Sequence, residues 1–216
     1  MDKARKTLLL MIALAGAGSV ALQAFLNLTR HNLDHSLAWR LVDFLSYFTN
    51  ITAILATAVA VVALARPASH LARPGVMTAT AIYMLVVATT YQWLLRGDPH
   101  GLAWVANVGL HQLLPALVLL LWLLFMPKDA STWRAPLAWL VYPALYTVWI
   151  LARGAAIHRY PYFFADADKL GYPRALSNGA GFLLAFYLLG LSAVGLERLR
   201  RPRTLNVPVP LRSGTG

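Results

Sequence analysis

Six apolar segments, each about 20 residues long, constrain this 216-residue chain more than any other feature of its sequence. A helix needs roughly 20 apolar residues to cross a hydrocarbon core of about 30 Å, so each segment has the length of a membrane span. The segments lie at about 7–28, 41–65, 76–95, 105–126, 135–153 and 176–197. The short polar connections between them predict antiparallel neighbours. We therefore predict an all-α, polytopic membrane protein, with a six-transmembrane-helix bundle over residues 1–197 and a basic tail over 198–216.

The composition supports a membrane protein. Hydrophobic residues make up 59% of the chain and charged residues only 12%, with a mean hydropathy of +0.59. Lys and Arg number 19 against 8 Asp and Glu, which gives a net charge of +11. A basic balance is typical of nucleic-acid binders, but those are rich in charge and poor in long apolar runs. A soluble domain is therefore excluded, and we expect no nucleic-acid partner.

The distribution of positive charge predicts the orientation. Twelve Lys and Arg fall on the side of the amino terminus and seven on the opposite side. By the positive-inside rule, both termini are expected in the cytoplasm. The arginines of residues 198–203 are expected to rest on anionic lipid headgroups.

The first segment has two interpretations. Lys3, Arg5 and Lys6 precede an apolar run that contains small residues, as in a secretory signal peptide. The run continues to about Leu28, whereas the apolar region of a signal peptide is typically about 7 to 15 residues. A retained helix is therefore favoured.

Two chemically informative side chains are predicted at the same depth in different spans. Thr49 lies about eight residues inside the outer end of span two, or roughly 12 Å at 1.5 Å per residue. His111 lies six or seven residues inside the outer end of span four, or roughly 10 Å. Pro115 deletes the hydrogen bond to the His111 carbonyl and predicts a kink at this turn. An ionisable residue within a span is a functional candidate by default.

Other polar residues cluster near this pair. Asp43, Ser46 and Asn50 follow helical spacing on one face of span two, and Asn107 precedes His111 by one turn. The cytoplasmic halves of these spans are almost purely apolar, so the pattern predicts an outer polar pocket with an apolar floor. Such a pocket suits an amphiphile. The alternative is that these polar groups serve as structural hydrogen-bonding contacts between helices.

The available residue types favour one reaction chemistry. The sequence contains no Cys, no HExxH, no GxSxG and no Gly-rich phosphate loop, and only one of its six His lies in a span. We therefore predict no metal site and no cofactor. A threonine hydroxyl becomes nucleophilic when a histidine takes its proton. Thr49 and His111 are the predicted nucleophile and base, with Ser46 and Thr52 as open alternatives to Thr49.

The longest connection, residues 154–175, mixes aromatic residues with Pro and Asp. Aromatic side chains favour the headgroup level, so one interpretation of the segment is an interfacial belt. The second interpretation is a partly re-entrant lid over the bundle.

Four motifs resemble a known family. LSYFTNIT in span two, GLHQLLPAL in span four, YPALYTVWILARG in span five and the following YPYFF together resemble the androgen-induced and androgen-dependent integral membrane hydrolases, especially their small bacterial six-helix relatives. The resemblance covers residues 30–195. It implies fatty acid esters of hydroxy fatty acids as substrates, Thr49 as nucleophile, His111 as base, and a multi-pass location in the bacterial inner membrane.

Two hypotheses follow. The first is a membrane-embedded threonine hydrolase for lipid (fatty acid) esters, with Asn50, Gln112 and Asn107 as substrate or oxyanion candidates. In this hypothesis Arg153 pairs with a fatty carboxylate, or else snorkels to the interface. The second is a non-catalytic membrane protein that binds a lipid or small solute in the same pocket.

Overall fold

The computed structural model describes residues 2–29, 36–125 and 131–199, and the regular elements within these ranges are all helical. Six helical runs among them are long and apolar enough to cross a membrane. Their bounds are Lys3–Thr29, Phe48–Ala65, Pro74–Leu95, Leu102–Phe125, Ala135–Ile157 and Tyr172–Leu199. The predicted all-helical fold with six candidate spans is therefore confirmed. The tail from residue 200 onwards lies outside the described residues.

Several of these runs are interrupted or change their hydrogen-bonding pattern. In chain order the α-helices are α1 (Lys3–Thr29), α2 (Leu37–Leu45), α3 (Phe48–Ala65), α4 (Pro74–Thr90), α5 (Leu102–Val108), α6 (Leu114–Phe125), α7 (Ala135–Trp139), α8 (Val141–Ile157), α9 (Ala167–Leu170) and α10 (Tyr172–Leu199). Two π-helical segments, Tyr91–Leu95 and Gly109–Leu113, continue α4 and join α5 to α6. Short 3₁₀ turns occur at His70–Ala72 and Phe163–Ala165.

The predicted continuous span over residues 41–65 is wrong in one respect. α2 ends at Leu45 and α3 begins at Phe48, with Tyr47 in an extended conformation (φ −90°, ψ 124°) between them. Thr49 therefore lies in the first turn of α3 rather than two turns inside a helix. Asp43 and Asn50 belong to different helices, so the predicted common face does not exist.

Small residues allow the helices to approach closely. A methyl group added to Gly16 of α1 would collide with the Thr57 hydroxyl of α3, and one added to Gly109 would collide with the Ser19 hydroxyl. Close approach at small residues is typical of helix packing in membranes. α1 also contributes Leu9 and Ile12 to the buried core, so it is an integral part of the bundle.

The outward faces of the helices are apolar. Large hydrophobic side chains are exposed on each of the six long runs, among them Leu14, Val61, Trp93, Leu124, Val148 and Leu184. A soluble monomer rarely exposes contiguous apolar surface of this extent. The exposed surface is thus compatible with a hydrocarbon environment.

Candidate functional site

The site is built on the break between α2 and α3, where tertiary contacts satisfy the free backbone groups. The Asn50 side chain donates to the Phe44 carbonyl at 2.8 Å, and the Tyr146 hydroxyl donates to the Ser46 carbonyl at 2.8 Å. The Phe48 N–H, at the start of α3, donates to the hydroxyls of both Tyr146 and Tyr162. Helix ends leave such groups without intrahelical partners, so these bonds fix the break and the position of the first turn of α3.

Thr49 and His111 are in contact. The Thr49 Oγ1 lies 3.4 Å from the His111 Nε2, and only 9% of Thr49 is exposed. The His111 Nδ1 lies 3.1 Å from the backbone carbonyl oxygen of Asn107. Because a carbonyl can only accept, Nδ1 carries the proton and the lone pair of Nε2 faces the Thr49 hydroxyl. This is the tautomer that a general base requires.

The two π-helical segments position the imidazole. His111 is the central residue of Gly109–Leu113, and Tyr91 begins the other segment. Their rings stack with centroids 4.1 Å apart and an interplanar angle of 24°. The Leu114 N–H bonds to the Gly109 carbonyl, just before Pro115, which has no N–H to donate. The predicted disturbance of the helix at this turn therefore takes the form of a π turn, a feature frequent at functional sites.

Thr49 lies where two cavities meet. The first, which we call the polar chamber, has a volume of about 490 Å³ and is lined by polar residues of α1, α2, α3 and α5, including Gln23, Asn27, Asp43, Asn50 and Asn107. The second, which we call the apolar cleft, has a volume of about 70 Å³ and lies between α4, α8 and α10. Thr49, Leu95 and Tyr162 line both cavities, whereas His111 lines the polar chamber alone. A molecule bound across Thr49 would have one polar and one apolar environment.

The predicted oxyanion candidates have different surroundings. Asn50 is buried and lines the polar chamber, with its amide donating to the helix break. Asn107 also lines the chamber, and its backbone carbonyl fixes the His111 tautomer. Gln112 is exposed and lines neither cavity. The structure therefore brings Asn50 and Asn107 to the chamber but not Gln112.

Arg153 is engaged within the protein. Only 7% of Arg153 is exposed, and its Nη2 lies 2.9 Å from the Asp43 Oδ1. Its Nη1 also donates to the Arg159 carbonyl at 3.4 Å. Neither predicted role, binding a fatty carboxylate or snorkelling, describes this placement. The Asp43 carboxylate on α2 pairs with the Arg153 charge. The sequence did not predict this pairing.

The connection between α8 and α10 reaches into the bundle at Tyr162. Only 9% of Tyr162 is exposed. Its ring contacts the Tyr47 ring edge-on and stacks on the Phe164 ring. The Asn178 side chain of α10 donates to the Phe164 carbonyl at 2.8 Å. Burial raises the pKa of the Tyr162 phenol, and the neighbouring groups of Thr49, Tyr146 and Phe48 oppose that rise only in part. The segment thus contributes Tyr162 to the site, and the interfacial-belt and lid interpretations both stay predictions.

Three tyrosines of the site were not predicted as site residues. They are Tyr91, Tyr146 and Tyr162. Only the conjunction of aromatic residues with Pro and Asp around Tyr162 carried a signal in the sequence, since Tyr91 and Tyr146 stand in ordinary apolar runs.

Metal-binding groups do not converge in the part of the chain that the structure describes, where no three His, Asp or Glu side chains form a possible metal site. His100 pairs with Asp98, and His158 pairs with Asp168. His31 and His35 lie outside the described residues. Of the arginines expected at lipid headgroups, Arg198 stacks over the Trp133 ring at 5.0 Å and the rest lie outside those ranges.

Among the described residues, the fold and the site define an all-helical protein with six candidate membrane spans and a threonine–histidine pair in contact, in which the threonine lines two cavities. Comparisons of the chain with protein-family models, curated proteins and solved structures gave no match.

Proposed function

We propose that this protein is a membrane-embedded threonine hydrolase that acts on lipid (fatty acid) esters. The observation that carries the proposal is the 3.4 Å separation of the Thr49 Oγ1 and the unprotonated His111 Nε2. A buried hydroxyl beside a correctly oriented imidazole is the minimal arrangement for an activated nucleophile. The Asn107 carbonyl takes the orienting position that a carboxylate occupies in a catalytic triad.

The reaction uses this pair twice. The Thr49 Oγ1 adds to the ester carbonyl carbon, the carbonyl π pair moves to oxygen, and His111 takes the hydroxyl proton. Collapse breaks the bond to the alcohol oxygen, which receives that proton from His111 and leaves. Water then adds to the acyl-threonine while His111 takes its proton, and collapse releases the acid and returns the proton to Thr49.

The two cavities support an ester of a long acyl chain. The apolar cleft takes the acyl chain and the polar chamber takes the alcohol part, so the carbonyl carbon lies at Thr49, which lines both. Fatty acid esters of hydroxy fatty acids are the substrates implied by the resemblance to the androgen-induced and androgen-dependent hydrolases. Their small bacterial relatives are the branch to which we assign this chain.

The proposal includes a location. The six apolar helices are embedded in the bacterial inner membrane, with both termini in the cytoplasm and the basic tail on anionic lipid headgroups. Thr49 and His111 then lie in the extracytoplasmic half of the bilayer. Membrane lipids reach the site laterally.

Ester turnover by the purified protein in detergent tests the function. We expect hydrolysis of p-nitrophenyl dodecanoate, and a loss of about 10³-fold or more in kcat for Thr49→Ala. Thr57→Ala is the matched control, because Thr57 lies on the same helix and donates only to the Ala53 carbonyl. Absence of turnover with co-purified lipid in the wild-type cavities would favour the non-catalytic binding protein instead.

A further inference from the structure

Two tyrosine hydroxyls share one backbone donor beside Thr49. The Phe48 N–H lies 3.0 Å from the Tyr162 hydroxyl and 3.2 Å from the Tyr146 hydroxyl. The Tyr146 hydroxyl donates its own proton to the Ser46 carbonyl at 2.8 Å. Its single proton is therefore committed to the helix break.

The Tyr162 hydroxyl is placed differently. It accepts from the Phe48 N–H, and it interacts with both the side chain and the backbone N–H of Thr49. Among the described residues, no backbone carbonyl accepts its proton in a hydrogen bond. Its neighbouring side-chain groups are the hydroxyls of Thr49 and Tyr146. Both are weaker acceptors than an oxyanion, so the Tyr162 proton can be donated to an oxyanion formed at Thr49.

The position of Tyr162 relative to the two cavities supports a role for its hydroxyl beside the nucleophile. Tyr162, like Thr49, lines both the polar chamber and the apolar cleft. An ester carbonyl attacked by Thr49 would lie at this junction, where its oxygen develops negative charge. A preorganised donor in a water-poor site is the feature that stabilises such a charge most effectively.

We propose that Tyr162 is a further catalytic residue, whose phenolic O–H donates a hydrogen bond to the oxyanion formed when the Thr49 Oγ1 adds to an ester carbonyl. This inference rests on the proposed hydrolase function. Tyr162 transfers no proton. The electron pair that moves to the carbonyl oxygen is stabilised by the Tyr162 O–H until the bond to the leaving group breaks, while the Thr49 proton resides on His111.

Burial supports this role, because it keeps Tyr162 protonated and therefore able to donate. The donor belongs to the connection between α8 and α10 rather than to a membrane-spanning helix. This segment supplies the donor, so the oxyanion site is complete only while Tyr162 is seated beside Thr49.

Tyr162→Phe is the decisive variant, because it removes the hydroxyl and retains the ring that packs on Tyr47 and Phe164. The Phe48 N–H keeps the Tyr146 hydroxyl as an acceptor, so the thermal midpoint should change little. We expect kcat for p-nitrophenyl dodecanoate to fall about 10²- to 10³-fold with KM nearly unchanged.

Tyr142→Phe is the matched control. It also removes a phenol hydroxyl that bonds to a threonine of α3, since the Tyr142 and Thr52 hydroxyls lie 2.9 Å apart. Tyr142 lines neither the polar chamber nor the apolar cleft. We expect its kcat within about twofold of wild type, which would show that loss of a buried tyrosine–threonine hydrogen bond is insufficient to impair catalysis.

A second measurement separates catalysis from folding. A trifluoromethyl ketone forms a hemiketal with a hydroxyl nucleophile and so places an oxyanion at the site, whereas the corresponding alcohol does not. Tyr162→Phe should weaken the ketone about 10²-fold and leave the affinity for the alcohol unchanged. Equal weakening of both ligands would overturn the proposal.

The outcomes also distinguish the two claims. If Thr49→Ala abolishes turnover while Tyr162→Phe retains the wild-type kcat, Tyr162 is not catalytic and the hydrolase function stands. If the wild type neither turns over the ester nor forms an adduct at Thr49, the hydrolase function fails and the role of Tyr162 fails with it.

Discussion

The backbone carbonyl of Asn107 accepts the Nδ1 proton of His111 at 3.1 Å, and this one hydrogen bond decides which nitrogen faces Thr49. His111 needs no charged partner to present its lone pair, because a carbonyl one turn earlier in the chain fixes the tautomer. The arrangement depends on the π turn that carries His111.

His111→Ala tests the base. It should lower kcat for ester hydrolysis by about 10²- to 10⁴-fold, because Thr49 loses the group that takes its proton. Gln112→Ala, at the neighbouring but exposed position, serves as the control and should retain wild-type kcat. Similar kinetics for the two variants would contradict the role of His111.

Acyl-chain length tests the apolar cleft. A methyl group at Gly179, which lines the cleft, would lie 3.1 Å from the Thr147 Cγ2, so Gly179→Leu should fill the space between α8 and α10. We expect kcat/KM to fall about tenfold or more for p-nitrophenyl dodecanoate and much less for the butyrate ester, a loss of the size that a few buried methylene groups supply.

Gly181→Leu is the control for this substitution, because it lies two residues along the same helix with no atom near its added methyl group. It should leave the preference for chain length unchanged. An equal loss for both ester lengths in Gly179→Leu would show that the acyl chain lies elsewhere.

The buried ion pair between Arg153 and Asp43 is expected to be structural. Arg153→Met leaves Asp43 without its partner and should destabilise the protein by about 3–5 kcal/mol, seen as a lower thermal midpoint in detergent. Combining it with Asp43→Asn removes the unpaired charge and should recover part of the loss. An unchanged midpoint in Arg153→Met, together with weaker binding of a fatty acid, would restore the predicted carboxylate site.

The sequence predicts the parts of this structure that depend on local chemistry. Apolar runs of spanning length predict the six helices, because a helix satisfies all of its interior backbone N–H and C=O groups within one segment, as a hydrocarbon environment requires. Thr49 and His111 were predicted at one depth by counting residues from the span ends. The contact between them required the fold, because periodicity gives the face of a helix but not its neighbour.

The unpredicted features all arise from tertiary contacts. The residues Ser46 and Tyr47 give no strong helix-breaking signal, and the break is held by hydroxyls from Tyr146 and Tyr162 about 100 residues later. Arg153 pairs with Asp43, which lies 110 positions earlier in the chain. Glu197, near the end of α10, is fully buried and accepts from the Thr78 hydroxyl at 2.8 Å.

The central claim is that the Thr49 hydroxyl is a nucleophile activated by His111. The most direct measurement is to label the purified wild-type protein with a fluorophosphonate probe and to map the modified residue by peptide mass spectrometry. The account predicts a phosphonyl adduct on Thr49, lost in Thr49→Ala, greatly reduced in His111→Ala and retained in Thr57→Ala. An adduct on another residue, or undiminished labelling of Thr49→Ala, would contradict it.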